Sequence, residues 1–238
     1  KAPMSLSQLF EPRSIAVIGA SSNPERIGGR PVAYLLREWL PRDPGRRLYP
    51  VNPGRTVLQG QRSYRSMSEI GVPVDLAIIA VPSTSVLAAV RDCVSARCHA
   101  AIICSAGFAE TGEAGKALQA QIVRLAKGAK MRLLGPNCLG LLNLHAGLFA
   151  TFAEAGRFTD HSAGSIAIAS QSGATMSQLL MLARGRGIGL SRIISTGNEC
   201  DIDVAECIAY FATDPQTKVI LAYLEGCASG ERLVAALD

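Results

Sequence analysis

The sequence predicts an α/β chain built on parallel sheets, arranged as two successive units. Short runs of Val, Ile and Ala, at residues 14–18, 74–81 and 100–104, each lead towards a segment of helical character. Runs that are rich in apolar residues, rather than alternating, belong to strands covered on both faces by helices. Glycine, serine, proline and asparagine collect at the carboxyl ends of the strands, where open parallel sheets hold ligands. The alternation restarts at Gly164 after an irregular stretch, dividing the 238 residues in two.

The first strand runs directly into Gly19-Ala-Ser-Ser-Asn23 and on through Gly28-Gly29 to a helix expected over 31–40. Strand, glycine turn and helix form the entry to a nucleotide-binding unit. The glycine permits the turn, and the helix start offers unpaired N–H groups to a phosphate. The gap from Gly19 to Gly28 is longer than in G-x-G-x-x-G, so a purely structural glycine turn stays open as the alternative. The second strand ends in Asn52-Pro53-Gly54-Arg55, without the acid that holds the ribose of NAD. A guanidinium there suits a phosphomonoester, as on NADP or on the 3′-phosphate of coenzyme A. The alternative is a solvated turn arginine.

Strand three ends in Val81-Pro82-Ser83, with Ser83 expected as a helix N-cap, and strand four in Ser105-Ala-Gly107-Phe108, before a helix over 113–127. Strand five ends in Gly135-Pro-Asn137-Cys138-Leu-Gly140, a tight turn at the joint of the two units. Five strand ends bearing small and polar groups without acids favour a polyanionic ligand.

Composition bounds the function. The chain is 48% hydrophobic and 18% charged, enough for a substantial core. No apolar run is long enough to span a bilayer and no signal peptide is visible, so a cytoplasmic protein is expected. Lys1 in place of Met suggests a natural start upstream. The charge of +5 comes mostly from scattered arginines, with one cluster over 37–47, and aromatics are only 5%, which argues against nucleic acid. Seven cysteines without a C-x-x-C pair read as reduced core residues, and no His/Cys set has zinc spacing.

The first unit is expected over 1–145, a linker over 146–163 with solvent-facing His145 and His161, and the second unit over 164–238. There a strand turns through Ser170-Gln171-Ser172-Gly173-Ala174 into a helix reaching Arg184. The next strand precedes Ser195-Thr-Gly-Asn-Glu-Cys200 and a helix from Asp201, and a third strand ends in Glu225-Gly226. Three β-α units suggest a flavodoxin-like domain, expected to be incomplete at residue 238. Ser172 invites a nucleophile-elbow reading, but the triad needs a later histidine and none follows His161. A helix start that holds an anion is preferred.

In one order, Gly19-Ala-Ser, Asn52-Pro-Gly-Arg55, Ala80-Val-Pro82, Ser105-Ala-Gly-Phe108, Gly135-Pro-Asn-Cys-Leu-Gly140, Ser170-Gln-Ser-Gly173, Thr196-Gly-Asn198 and Asp214-Pro215 resemble the NDP-forming acyl-CoA synthetases. That family includes ADP-forming acetate–CoA ligase and is related to the α subunit of succinyl-CoA synthetase. The resemblance runs from about Leu9 onward. It implies a Rossmann-like CoA-binding domain followed by a partial flavodoxin-like domain. The implied activity is an acid–thiol ligase that makes acyl-CoA from a small carboxylic acid, CoA and ATP through acyl phosphate and phosphohistidine.

By position, the resemblance sets coenzyme A against Gly19, Ser21, Ser22, Asn23 and Gly28, and against Asn52, Pro53 and Arg55. It continues along Val81, Pro82, Ser83, Ser105, Gly107 and Phe108 to Asn137 and Cys138, with Cys138 as a lining residue rather than a nucleophile. Ser170, Gln171, Ser172, Gly173 and Ala174 form the phosphate-holding turn, and Glu225 matches a glutamate that orients the histidine. In the family that histidine lies beyond the strand ending here at Glu225, in a context that none of His99, His145 or His161 has. The chain is therefore expected to bind CoA without completing the reaction alone. ATP or ADP and Mg2+ are expected on a separate ATP-grasp domain or subunit of an oligomeric enzyme. Two other readings stand beside this one. The first is a CoA-sensing regulatory module of a protein acyltransferase. The second is an NADP-dependent oxidoreductase, opposed by the missing G-x-G-x-x-G and by the second unit.

Overall fold

A computed structural model describes residues 6–237. A short helix, α1 (Ser7–Phe10), precedes β1 (Ser14–Ile18), and α2 (Arg30–Tyr34) continues through a π-helical stretch, Leu35–Trp39, towards β2 (Arg47–Val51). After a small hairpin, β3 (Val57–Leu58) and β4 (Gln61–Arg62), come β5 (Leu76–Ile79), α3 (Ser83–Ser95), β6 (Ala100–Ile103), α4 (Glu113–Gly128) and β7 (Arg132–Leu134). The first sheet is all parallel, in the order β2-β1-β5-β6-β7. Every residue of β5 and β6 is buried, as expected of continuous apolar runs between two helical layers. The chain leaves β1 for β2 on one side and returns to β5 on the other, which makes the end of β1 a topological switch point.

The second half contains β8 (Gly140–Asn143), β9 (Leu148–Thr151), β10 (Ala163–Ser170), α5 (Gly173–Gly185), β11 (Leu190–Ser195), α6 (Val204–Ala212), β12 (Val219–Tyr223) and α7 (Gly230–Leu237). Its sheet has the order β12-β10-β11-β8-β9, parallel among β12, β10 and β11 and antiparallel at β8 and β9. β8 lies just before the expected boundary at 145, and β9 lies within the segment 146–163 expected as a linker. β8 and β9 form a hairpin of the second sheet in which every residue is buried. Two four-residue strands flanked by glycine and histidine lack the length and period that mark a strand in sequence. His145 is exposed as expected. His161 is partly buried instead, its Nε2 lying 2.8 Å from the Ala155 carbonyl oxygen.

The halves share one apolar core, in which Phe10, Leu35 and Trp39 meet Leu141, Leu148, Ile194 and Phe211. A polar clamp reinforces it. Arg132 on β7 gives Nη1 and Nη2 to the two carboxylate oxygens of Glu206 at 2.8 Å each, and Nε to Asp201 at 2.9 Å. Burial opposes the charge on Arg132, but its bonds to Glu206 and Asp201 outweigh that and hold the guanidinium protonated. All seven cysteines are free, five of them buried. Among the described residues no helix is long and apolar enough to cross a membrane.

Candidate functional site

A cavity of about 830 Å³ opens at the switch point. Gly19 turns the chain there with φ of +83°, and a Cβ on it would strike the Ala80 carbonyl oxygen. A Cβ on Gly28 would in turn land on the Gly19 carbonyl oxygen, so only bare backbone lets the approach to α2 close on the β1 turn. Asn52 joins the two strand ends: its Nδ2 donates to Ala20 O and its Oδ1 accepts from Gly54 N, both at 2.8 Å. Gln59 ties down the outer loop by donating to Ser21 O and Gly29 O at 2.9 Å. No motif announces Gln59, because it acts from a two-residue hairpin turn.

Of the expected residues, Gly19, Ser21, Ser22, Asn23, Gly28, Asn52 and Arg55 meet in this cavity, and Arg26 and Arg30 join them. Arg26 and Arg55 are exposed and make no side-chain hydrogen bond or ion pair among the described residues. Three guanidinium groups against one carboxylate, Glu25, give the cavity a positive potential. The helix-start N–H groups are less available than expected, since Gly29 N and Arg30 N both donate to Arg26 O. Hydroxyls and arginines are left to meet an anion.

A second cavity, of about 350 Å³, lies at the joint of the two halves. It brings together Asn137, Cys138, Gln171, Ser172, Gly173, Ala174 and Glu225, with Cys104, Leu139 and Phe152 added. Asn137 sits in the left-handed region with φ of +59° and donates N–H to Ser105 O at 2.9 Å. Asn198 N and Cys200 N donate to Pro136 O and Gly135 O at 2.9 and 3.0 Å, so the loop after β11 is knitted to the joint. Ser172 caps α5, accepting from Thr175 N at 3.2 Å, and the first N–H groups of that helix have no intrahelical partner. Burial pushes the Cys138 thiol up to about 12, which leaves it protonated and a poor nucleophile near neutral pH.

Several expected site residues are placed elsewhere. Phe108 is fully buried in a separate apolar cluster with Ile79, Ile103 and Leu133, where an aromatic ring is most stable, and cannot line a ligand. Ser170 is also fully buried, its Oγ donating to Ser172 O at 2.7 Å, so it shapes the turn rather than holding phosphate. Gln171 lines the joint cavity, but its amide is bonded to protein groups throughout. Ser83 is the first residue of α3 rather than its cap, which is Pro82. Val81, Pro82, Ser83, Ser105 and Gly107 line neither cavity and stand at the strand ends between them. Ser105 Oγ donates to Val81 O, and a Cβ on Gly107 would lie 2.9 Å from Ser83 Oγ. Pro53 is exposed on the turn beside Asn52, outside the cavity.

Glu110 spans the two halves near the joint. It accepts from Gly107 N at 2.6 Å, from Phe108 N at 3.1 Å and from Asn198 Nδ2. Burial disfavours its charge, yet the bonds from Asn198, Gly107 and Phe108 prevail and hold the carboxyl below its ordinary 4.5. A carboxyl lowered on folding contributes stability that is complete above its unfolded value and lost as pH falls through the folded one. Glu110→Gln should therefore flatten the fall in melting temperature below pH 4.5, a limb that thermal unfolding at pH 6, 4.5 and 3 resolves.

Comparison with known proteins bears on both cavities. The CoA binding domain family matches residues 13–143, and the succinyl-CoA ligase like flavodoxin domain family matches residues 163–238. The α subunit of ADP-forming acetate–CoA ligase II from Pyrococcus furiosus is 39% identical over 229 residues, 96% of this chain and 48% of that protein. The α subunit of ligase I from the same organism is 38% identical over 97% of this chain and 49% of its own. Dinucleotide forming acetyl-coenzyme A synthetase 1 of Ca. Korarchaeum cryptofilum, solved with phosphate and ADP, superposes with a TM-score of 0.88 at 37% identity. That match covers 98% of this chain and 48% of that one. The chain spans about half the length of the curated relatives it matches. Those relatives are ligases, which disfavours the acyltransferase-module reading. The chain belongs to the ADP-forming acyl-CoA synthetase family and carries its CoA-binding domain and its succinyl-CoA-ligase-like flavodoxin domain.

Proposed function

We propose that this chain is the CoA-binding portion of an acid–thiol ligase that joins a small carboxylic acid to CoA with conversion of ATP to ADP. The observation that carries the reading is the switch-point cavity, closed by Gly19 and Gly28 and rimmed by Arg26, Arg30 and Arg55. CoA bears a diphosphate and a 3′-phosphomonoester, and a cavity with three arginines and one carboxylate fits that charge. In this reading Ser21 and Ser22 donate their hydroxyls to the diphosphate, and Arg55 takes the 3′-phosphate. The strand ends at Val81 and Ser105 guide the pantetheine arm towards Asn137. CoA supplies the thiol that accepts the acyl group. At the joint, Ser172 and the N–H groups of Gly173 and Ala174 hold a phosphoryl group, and Glu225 orients an imidazole supplied by a separate segment. ATP and Mg2+ are assigned to a separate ATP-grasp domain or subunit.

Thermal unfolding tests this. At about a hundredfold excess over Kd, CoA should stabilise the protein by about 2.7 kcal/mol, while NADPH leaves the melting temperature unchanged. Arg55→Ala should weaken CoA about tenfold or more and dephospho-CoA much less, as expected for one lost charge-assisted contact. No shift at saturating CoA would overturn the assignment.

A further inference from the structure

Gln171 stands between the phosphate-holding turn and Glu225, and its side chain is bonded at both ends. Oε1 accepts from Glu225 N at 2.5 Å and from Gly226 N at 3.1 Å. Nε2 donates to Gly226 O and to Glu199 Oε2, each at 2.8 Å. These partners admit one orientation of the amide. Flipped, its NH2 would face two N–H donors and its oxygen would face a carbonyl and a carboxylate. Glu199 is held in turn, since its Oε1 accepts from Thr196 Oγ1 and from Val204 N at 2.9 Å. One amide and one carboxylate thus join the loops that follow β10, β11 and β12. Ladder pairing of β12 with β10 ends at Tyr223, and Glu225 and Gly226 are exposed. Among the described residues, the hydrogen bonds that hold the backbone of these two residues all go to Gln171.

We propose that Gln171, with its amide oriented by Glu199, is the positioning residue that sets Glu225 over the joint cavity. The proposal rests on the role given to Glu225 above, and it assigns Gln171 to Glu225 rather than to the phosphoryl group. It also explains why a glutamine serves at this place: two acceptor bonds and two donor bonds on one planar group match no carboxylate, hydroxyl or ammonium.

The test uses the full-length enzyme. Gln171→Glu replaces the donor facing Glu199 and Gly226 O by an acceptor. It should lower kcat for acyl-CoA formation about 10- to 100-fold, as displacement of a reacting group does. The KM for CoA should stay within about twofold, because the switch-point cavity is untouched. Adding Glu199→Gln restores the bond with reversed polarity. The amide introduced at position 199 donates to the carboxylate introduced at position 171, while its oxygen still accepts from Thr196 and Val204. The double variant should regain most of the lost kcat. Backbone hydrogen exchange at Glu225 and Gly226, which requires no activity, should speed about fivefold or more in the single variant and slow again in the double. If Gln171→Glu lowers the melting temperature, Gln171→Met removes the same bonds without adding charge and is read in the same two ways.

A single variant equal to wild type in kcat and exchange, or a double variant no better than the single, overturns the proposal. Glu225→Gln with unchanged kcat overturns the role of Glu225 and the positioning role with it. If CoA fails to shift the melting temperature of the wild type, the CoA assignment falls separately, and exchange at 225–226 decides the clamp.

Discussion

Gly28→Ala should abolish CoA-dependent stabilisation and destabilise the chain by about 1–3 kcal/mol, the usual range for an added methyl in a filled space. The methyl would land on the Gly19 carbonyl oxygen and lie 2.9 Å from the Gly19 carbonyl carbon. Neither side can yield cheaply. Gly19 is itself pressed against the backbone of Ala80 and the side chain of Val81, and Gly28 accepts from Ser21 N at 3.3 Å. The loop carrying Ser21, Ser22 and Arg26 must move, and the cavity opens with it. Gly128→Ala is the control, because a Cβ there meets nothing within 4 Å at the end of α4. It should keep the full CoA shift. Calorimetric titration with CoA on both variants separates a local effect from general loss of stability.

Arg132→Met should cost more, about 3–5 kcal/mol, as removal of one partner from a buried ionic cluster does. The Arg132 side chain is only 14% exposed; Asp201 would lose its cation, and Glu206 would keep only the more distant Arg232, 3.9 Å away. The melting temperature should fall by roughly 6–20 °C for a chain of this size. Because much of that loss is the penalty of buried carboxylates deprived of Arg132, Arg132→Met combined with Glu206→Leu should lose less than Arg132→Met alone. Urea unfolding gives both values. A loss under about 1 kcal/mol in the single variant would mean that water screens the cluster as it does surface pairs.

What can be read from sequence depends on how locally each feature is encoded. The Gly19 turn, the acid-free end at Asn52-Pro-Gly-Arg55 and the helix start in the Ser170–Ala174 turn are local, and each lies where the residues imply. Phe108 and Ser170 depart from expectation because neither motif nor position reveals burial. Phe108 follows the end of β6 and Ser170 is the last residue of β10, yet both side chains turn inward. Arg26 and Gln59 carry no signal for a related reason: an exposed arginine in a loop and a glutamine in a hairpin turn are unremarkable until the fold brings them to the cavity.

The sequence by itself determined the parallel α/β architecture, the run of strand ends that could hold a polyanion, and the family. These follow from apolar runs, glycine spacing and short motifs, all set within a few residues along the chain. Only the tertiary structure decided where the first sheet ends and the second begins. β8 becomes a strand through pairing with β11, a partner about fifty residues away that no local propensity anticipates, and β9 is added at the edge by pairing with β8. It also decided that the joint at Gly135 to Gly140 is a wall shared by both halves. The backbone carbonyls of Gly135 and Pro136 accept from the loop after β11 in the second sheet, and that pairing exists only once both sheets have formed.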